Sequence, residues 1–266
     1  MRTIRTGSAP LRPGRAASRS RRAHAGAFDD DSPRKADVGL AVRGRGGART
    51  TVHRMRVADW LDDTRTSYDT VAVSYAGLLR EALAGEPFQR GILALFAELV
   101  RARGNGPVAD IGCGPGRITA YLRGIGLDAF GIDLSPAMID VARRDHPGLR
   151  FEVGSMTGLD LADDSVTGLL AWFSLIHVPD DEVPTVLTEF FRVLRPGGSV
   201  LLGFHAGEGS ELKTTGYGGH PMKVYVHRRS PARVAAWLHA AGFTVEAELA
   251  HCPAPHLRGG FVFAHR

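Results

Sequence analysis

The sequence predicts an α/β fold, a mostly parallel sheet covered by helices on both faces, and three observations carry that expectation. From about residue 107 onward, short apolar strands alternate with amphipathic helices. One of those strands runs straight into three glycines at alternate positions, in "DIGCGPG" at 110–116. At 266 residues and 44% hydrophobic content, the chain can bury one sizeable core and has no room for several. Sheets of this kind bind their ligands outside the carboxyl ends of the strands.

Up to about Val52 the chain is rich in Arg, Ala, Gly, Ser and Pro and shows no helical or strand period, so residues 1–54 are predicted to be a disordered basic tail. The tail holds 13 Lys and Arg against 4 Asp and Glu, which leaves 20 against 24 in residues 55–266. The formal net charge of +5 is therefore a property of the tail. The body offers no general basic face, and nucleic acid is not expected as a partner. Arg21 and Arg22 are followed by no apolar segment of an export signal, while Pro10, Pro13, Gly14 and the acids at 29–31 interrupt a presequence-like helix. An over-called start, with Met55 as the true first residue, explains the tail equally well.

Order is expected beyond Met55. The segment 57–79 has helical apolar spacing around Val71, Tyr75 and Leu78, and "PFQRGILALFAELVRAR" supplies a second helix with Pro87 near its start. Strands follow at 107–111, 128–132, 149–153, 166–173, 199–204, 244–250 and 261–264. Helices fall at 116–124, 136–145, 181–194 and 231–241, and a hairpin strand at 222–226. The two cysteines, Cys113 and Cys252, form no C-x-x-C pattern, and even "GILALFAELV" is broken by Glu98. A reducing cytoplasm without a membrane span is the expectation. Thirty arginines against three lysines, with abundant Ala and Gly, suit a bacterial source.

The glycine turn admits either a phosphate or a nucleoside, because loss of Cβ at Gly112, Gly114 and Gly116 permits positive φ and a close backbone approach. The acids discriminate. Dinucleotide folds usually read G-x-G-x-x-G, whereas the spacing here is G-x-G-x-G with Asp110 two residues ahead of it. A carboxylate beside a pyrophosphate costs about 1 kcal/mol per charge pair in water and several times that in a sheltered cleft. A cationic nucleoside reverses the sign. Asp133, seventeen residues after Gly116 at the end of a strand, stands where an acid can accept ribose hydroxyls, and Ser135 with Pro136 reads as the cap of the next helix.

At these residues the chain resembles the class I S-adenosylmethionine-dependent methyltransferases in their small-molecule branch. "VADIGCGPGR", "GIDLSPAMI" and "FEVGSM" look like the family's successive cofactor segments, and "AWFSLIHVP" with "FFRVLRPGGSVLL" like the two that follow. The resemblance implies a Rossmann-like seven-stranded sheet whose last strand, "GFVFAHR", enters antiparallel. It also implies S-adenosylmethionine as cofactor and a metabolite or natural product as acceptor. Carried over, Asp110 would hold the methionine amino end, with Gly112, Cys113, Gly114 and Gly116 under the cofactor. Asp133 and Leu134 would lie at the ribose, Ser155 and Met156 at adenine, and Trp172 beside the methionine moiety. Two positions depart from the family: Ser155 stands where an acid is frequent, and Thr167 where Asp often opens the fourth strand.

Methyl transfer needs alignment, dry walls and a base when the acceptor must lose a proton. His177, in "SLIHVP" at the carboxyl edge of the sheet, is the candidate base; a histidine there can equally serve by bonding to backbone. Tyr68 and Tyr75, seven apart on one helical face, are candidate lid and substrate residues, a spacing that core packing also explains. In the glycine-rich insertion at 207–231, Tyr217, His220, Tyr225 and His227 are candidates to line an acceptor site, or solvated loop positions. Seven histidines from His205 onward form no helical pair; with Pro253 and Pro255 between His251 and His256, no metal is expected. The competing readings are a nicotinamide-dependent oxidoreductase, a nucleic-acid methyltransferase using the tail, and a cofactor-binding protein without turnover. Oligomeric state is left open.

Overall fold

The computed structural model describes residues 57–254 and 257–266. The expected tail over 1–54, the alternative start at Met55, and His256 lie outside them. Helices α1 (Val57–Leu79) and α2 (Pro87–Ala102) precede β1 (Pro107–Ile111), α3 (Arg117–Gly124), β2 (Asp128–Asp133), α4 (Pro136–Asp145), β3 (Phe151–Val153) and β4 (Val166–Trp172). A 3-10 turn (Leu175–His177) leads to α5 (Val183–Val193) and β5 (Leu194–His205). The hairpin β6 (Ser210–Thr215) and β7 (Pro221–His227) encloses a second 3-10 turn (Tyr217–Gly219), and α6 (Pro231–Ala240), β8 (Thr244–Ala254) and β9 (Leu257–His265) complete the order.

Seven strands form one sheet in the order β3-β2-β1-β4-β5-β9-β8. All pairs from β3 to β5 are parallel, and β9 runs antiparallel to both β5 and β8. The last strand thus enters antiparallel, as the resemblance implied. Alternation along each strand divides the core. Val108, Ala129, Leu170, Leu201 and Phe263 face α2 and α3, with Phe96 and Leu122. Ala109, Phe130, Leu169, Ala171, Leu202 and Val262 face α5 and α6, with Phe190 and Leu238. Strand β4 is buried along all seven residues, as a central strand covered on both faces must be.

Local chemistry sets the helix starts. Ser135 and Ser230 accept from the backbone N–H of Met138 at 3.1 Å and Arg233 at 3.2 Å, each followed by proline at the first helical position. Helix α1 differs from expectation in its buried stripe: Leu78 is 63% exposed, and Val71, Ala72, Ala76 and Leu79 face inward instead. The hairpin explains the shift, because Met222 and Val224 of β7 pack on Val71 and Ala72 and rotate the apolar face toward themselves. Strand β5 is longer than expected because it begins at Leu194, directly after α5.

Candidate active site

Strand order reverses between β1 and β4, and a cleft of about 730 Å3 of empty space, its open mouth included, lies there. Its floor is the glycine loop after β1. The N–H groups of Gly112 and Cys113 both donate to the Ile132 carbonyl, at 2.7 and 3.1 Å, which pins the loop to the end of β2. Gly112 has φ of 74°, and a Cβ on it would lie 2.2 Å from Cβ of Ser174, whose hydroxyl donates to the Ile111 carbonyl at 2.7 Å. Gly116 has φ of 79°, and a Cβ there would meet Phe151 at 2.5 Å. Neither position admits another residue without moving its neighbour.

Asp133 stands in the cleft wall at the end of β2. Its Oδ2 accepts from the Gly114 N–H at 2.7 Å and its Oδ1 from the Ser135 N–H at 2.9 Å. Burial pushes its carboxyl up to about 6; the Ser135 and Gly114 N–H groups restrain that rise and the nearby Asp69 carboxylate adds to it. Leu134, Ser155 and Met156 lie in the wall beside it, with Gly112, Gly114 and Trp172. Ser155 is turned partly inward on its own loop, its hydroxyl 2.7 Å from that of Thr157.

Three expected cofactor residues lie behind this wall rather than in it. Asp110 is fully buried between β1 and α3, where its Oδ2 accepts from the Thr119 hydroxyl at 2.6 Å and its Oδ1 has no partner among the described residues. Burial raises its carboxyl to about 7, against the Thr119 hydrogen bond and with a further push from Asp133. Its side chain is not among those lining the cleft. Cys113 points away into a cluster with Ile139, Ala142 and Phe151, and Gly116 caps α3. The side chain of the middle residue in the turn is needed to pack α4, a demand that glycine spacing does not reveal.

Helix α1 closes the cleft with Trp60, Thr64, Tyr68 and Tyr75. The Tyr68 hydroxyl lies 2.6 Å from Nε2 of His177, and Nδ1 of His177 lies 2.8 Å from the Tyr225 carbonyl oxygen. A carbonyl only accepts, so Nδ1 carries the proton and Nε2 presents its lone pair to the Tyr68 O–H. Burial holds the imidazole down at about 4, opposed by the Tyr225 carbonyl and reinforced by His227 and Arg229, so the ring is neutral near pH 7. Burial likewise pushes the Tyr68 hydroxyl up.

Tyr217 sits edge-on against Tyr75 with ring centroids 4.5 Å apart, behind the lid. His220 is not brought to the cleft: its Nε2 lies 3.0 Å from the Ser74 hydroxyl on the outer side of α1. Tyr225 contributes its carbonyl, while its ring stacks on His227 at the surface.

Sequence reasoning missed Asp69, Phe173 and Arg229. Asp69 Oδ1 accepts from the Ser135 hydroxyl at 2.6 Å and the Ala137 N–H at 3.1 Å, docking α1 on the start of α4. The acid next to Tyr68 was its only signal. Phe173 lines the cleft with φ of 54°, a conformation that bulky residues rarely hold, and nothing in the sequence announces it.

Residues 108–198 match the family model described as "Methyltransferase domain". The chain is 34% identical over 116 residues to malonyl-[acyl-carrier protein] O-methyltransferase of Pectobacterium atrosepticum, covering 40% of this chain and 45% of that protein. It is 31% identical over 144 residues to phosphoethanolamine N-methyltransferase 3 of Arabidopsis thaliana, covering 50% of this chain and 29% of that one. The chain thus spans less than half the length of either relative. Among solved structures, the 1,6-didemethyltoxoflavin-N1-methyltransferase of Burkholderia thailandensis shares the fold with a TM-score of 0.60 at 22% identity, over 87% of this chain and 93% of that one. The magnesium protoporphyrin IX methyltransferase of Synechocystis does so with a TM-score of 0.59 at 15% identity, over 78% and 97%.

Proposed function

We infer that this chain, a member of the class I S-adenosylmethionine-dependent methyltransferase family, transfers a methyl group from that cofactor to a small-molecule acceptor. The observation that carries the reading is the carboxylate of Asp133 in the cleft wall, braced by two backbone N–H groups beside the glycine loop. Of the cations near the cleft, Arg65 is paired with Asp62 at 2.6 Å and Arg117 interacts with Tyr75, while Asp133 has no ion-pair partner among the described residues. A pyrophosphate would meet repulsion there, and a sulfonium nucleoside attraction. Each oxygen of Asp133 accepts one N–H and keeps a lone pair, which suits a pair of ribose hydroxyls.

When bound, S-adenosylmethionine supplies an electrophilic methyl group on a good leaving group. Asp133 then holds the ribose, Leu134, Ser155 and Met156 flank the base, and Gly112, Gly114 and Trp172 border the methionine end. Helix α1 excludes water from the cleft. His177 takes the acceptor's proton through the Tyr68 hydroxyl: Tyr68 gives its proton to Nε2 as it receives one, while the Tyr225 carbonyl holds Nδ1–H and steadies the imidazolium. Oxygen and nitrogen acceptors, as named for the relatives, both suit such a base, and a cytoplasmic bacterial metabolite or natural product is the acceptor class we favour.

Calorimetry of S-adenosylhomocysteine against NADH tests the reading. We expect only the former to bind; binding of NADH alone would overturn it. With a labelled-cofactor metabolite screen in hand, His177→Ala should lower turnover and leave affinity for S-adenosylhomocysteine intact, and wild-type turnover would remove His177 from the mechanism.

A further inference from the structure

Among the described residues, the largest fully buried side chain is a cation, Arg229, at 1% exposure. Desolvating a charge costs several kcal/mol, and a well-packed apolar side chain is often the more stable solution, so such an arginine must be judged by what it holds. Its Nη1 donates to the Leu175 carbonyl at 2.9 Å and its Nη2 to the Val178 carbonyl, the two positions that bracket the His177 turn. Its Nε donates to Asp180 Oδ1 at 3.0 Å, and Arg233 takes the other oxygen of Asp180 at 2.7 Å. The main chain of Arg229 is itself fixed to the end of β5, its N–H donating to the His205 carbonyl at 3.0 Å and its carbonyl accepting from Gly207 at 3.3 Å.

One residue therefore ties together the end of β5, the segment after β7, and the 3-10 turn at Leu175–His177. A three-residue turn of that kind has too few internal hydrogen bonds to hold its own shape. Its carbonyls need donors from outside, and the planar fork of an arginine supplies two at once.

We propose that Arg229 is a positioning residue: it locks the turn so that Nε2 of His177 meets the Tyr68 hydroxyl, and it stands as a fixed cation beside that ring. The groups facing His177 are Tyr68 from α1, the Tyr225 carbonyl and His227 from β7, His205 at the end of β5, and Arg229. Of these, Arg229 is the permanent cation. His227 and Arg229 both oppose a second proton on the ring, and the Tyr225 carbonyl favours one. The inference rests on His177 serving as the proton acceptor, but its test separates the two.

The experiment is a histidine-ring NMR titration of the full chain, with turnover and S-adenosylhomocysteine affinity measured in parallel on Arg229→Met and Arg229→Lys. Arg229→Met should move the His177 midpoint upward from about 4 by a limited amount, burial still holding it below the ordinary histidine value, and lower kcat on the order of tenfold or more through misplacement of the ring, with affinity unchanged. Arg229→Lys keeps the charge and loses the fork, so kcat should fall while the midpoint stays. An unmoved midpoint in Arg229→Met, or wild-type kcat in Arg229→Lys, would overturn the proposal. If Arg229→Met fails to fold, the lysine variant alone decides it. Should His177→Ala retain full turnover, the base assignment falls, and the midpoint in Arg229→Met still reports whether the Arg229 charge stands against the ring.

Discussion

Two buried carboxylates, Asp110 and Asp133, differ in what surrounds them, and their substitutions should differ in consequence. Asp133 offers acceptor capacity to the cleft, so Asp133→Ala should weaken S-adenosylhomocysteine binding by about 1 to 3 kcal/mol through lost charged hydrogen bonds, read by calorimetry; an unchanged affinity would refute the ribose role. The same affinity should decline as pH falls through about 6, where Asp133 takes up a proton and loses an acceptor. Asp110 has one oxygen on Thr119 and the other unpartnered among the described residues. Unfolded, its carboxyl ionises near the ordinary value of 3.8; folded, it holds its proton to about 7. Between those values folding takes up a proton, so raising the pH erodes stability. Asp110→Asn should accordingly raise the melting temperature above pH 7 relative to the wild type, the gap closing as the pH drops toward 4, and scanning calorimetry across that range would detect a gap of the opposite sign. Both acids stood out in the sequence by their place around the glycines. Which of them touches the cleft was not legible, because Thr119, nine residues on, claims Asp110 and only the packing of α3 on β1 brings it there.

The elements that form the cleft were legible where local chemistry dictates them and opaque where a distant element intervenes. Ser135 and Pro136 announced the start of α4, and the structure has that helix at Pro136–Asp145 as expected. The lid was only half readable: Tyr68 and Tyr75 fall on one face of α1, yet its inward stripe is set by β7, from a hairpin some 150 positions later. Its anchor is the acid between them. Asp69 binds the Ser135 hydroxyl and the Ala137 N–H at the positive end of α4, a favourable place for a carboxylate. Asp69→Asn keeps the shape and removes the charge, so it should cost about 1 kcal/mol of stability and speed hydrogen exchange along α1. It should also lower the pH at which Asp133 titrates, since Asp69 pushes that group up. Calorimetry of cofactor binding against pH would then show the acid-side loss displaced to lower pH, and an undisplaced profile would mean that α1 does not sit over Asp133 in solution.

At the scale of the molecule, the alternation of strands and helices predicted the parallel half of the sheet, and β1 to β5 pair as that alternation requires. The antiparallel direction of β9 came from the resemblance, because a strand's sequence carries its burial and not its direction, and its place between β5 and β8 was not legible: "FVF" is equally apolar beside either neighbour. Charge partition is the other property of the whole chain that sequence alone discloses. Residues 1–54 carry 13 of the 33 basic side chains and 4 of the 28 acidic ones, so a chain lacking them passes from +5 to −4. The cleft is assembled from residues 60–178, and at physiological salt its charges are screened from groups beyond about 10 Å. Removal of residues 1–54 should therefore leave S-adenosylhomocysteine affinity and turnover on a neutral acceptor unchanged while abolishing retention on a polyanion column at low salt. A loss of turnover at low salt, restored by adding back salt or the tail in trans, would instead tie the basic segment to an acidic acceptor. That outcome would return a polyanion to the list of substrates, since a four-charge acidic body would otherwise repel it.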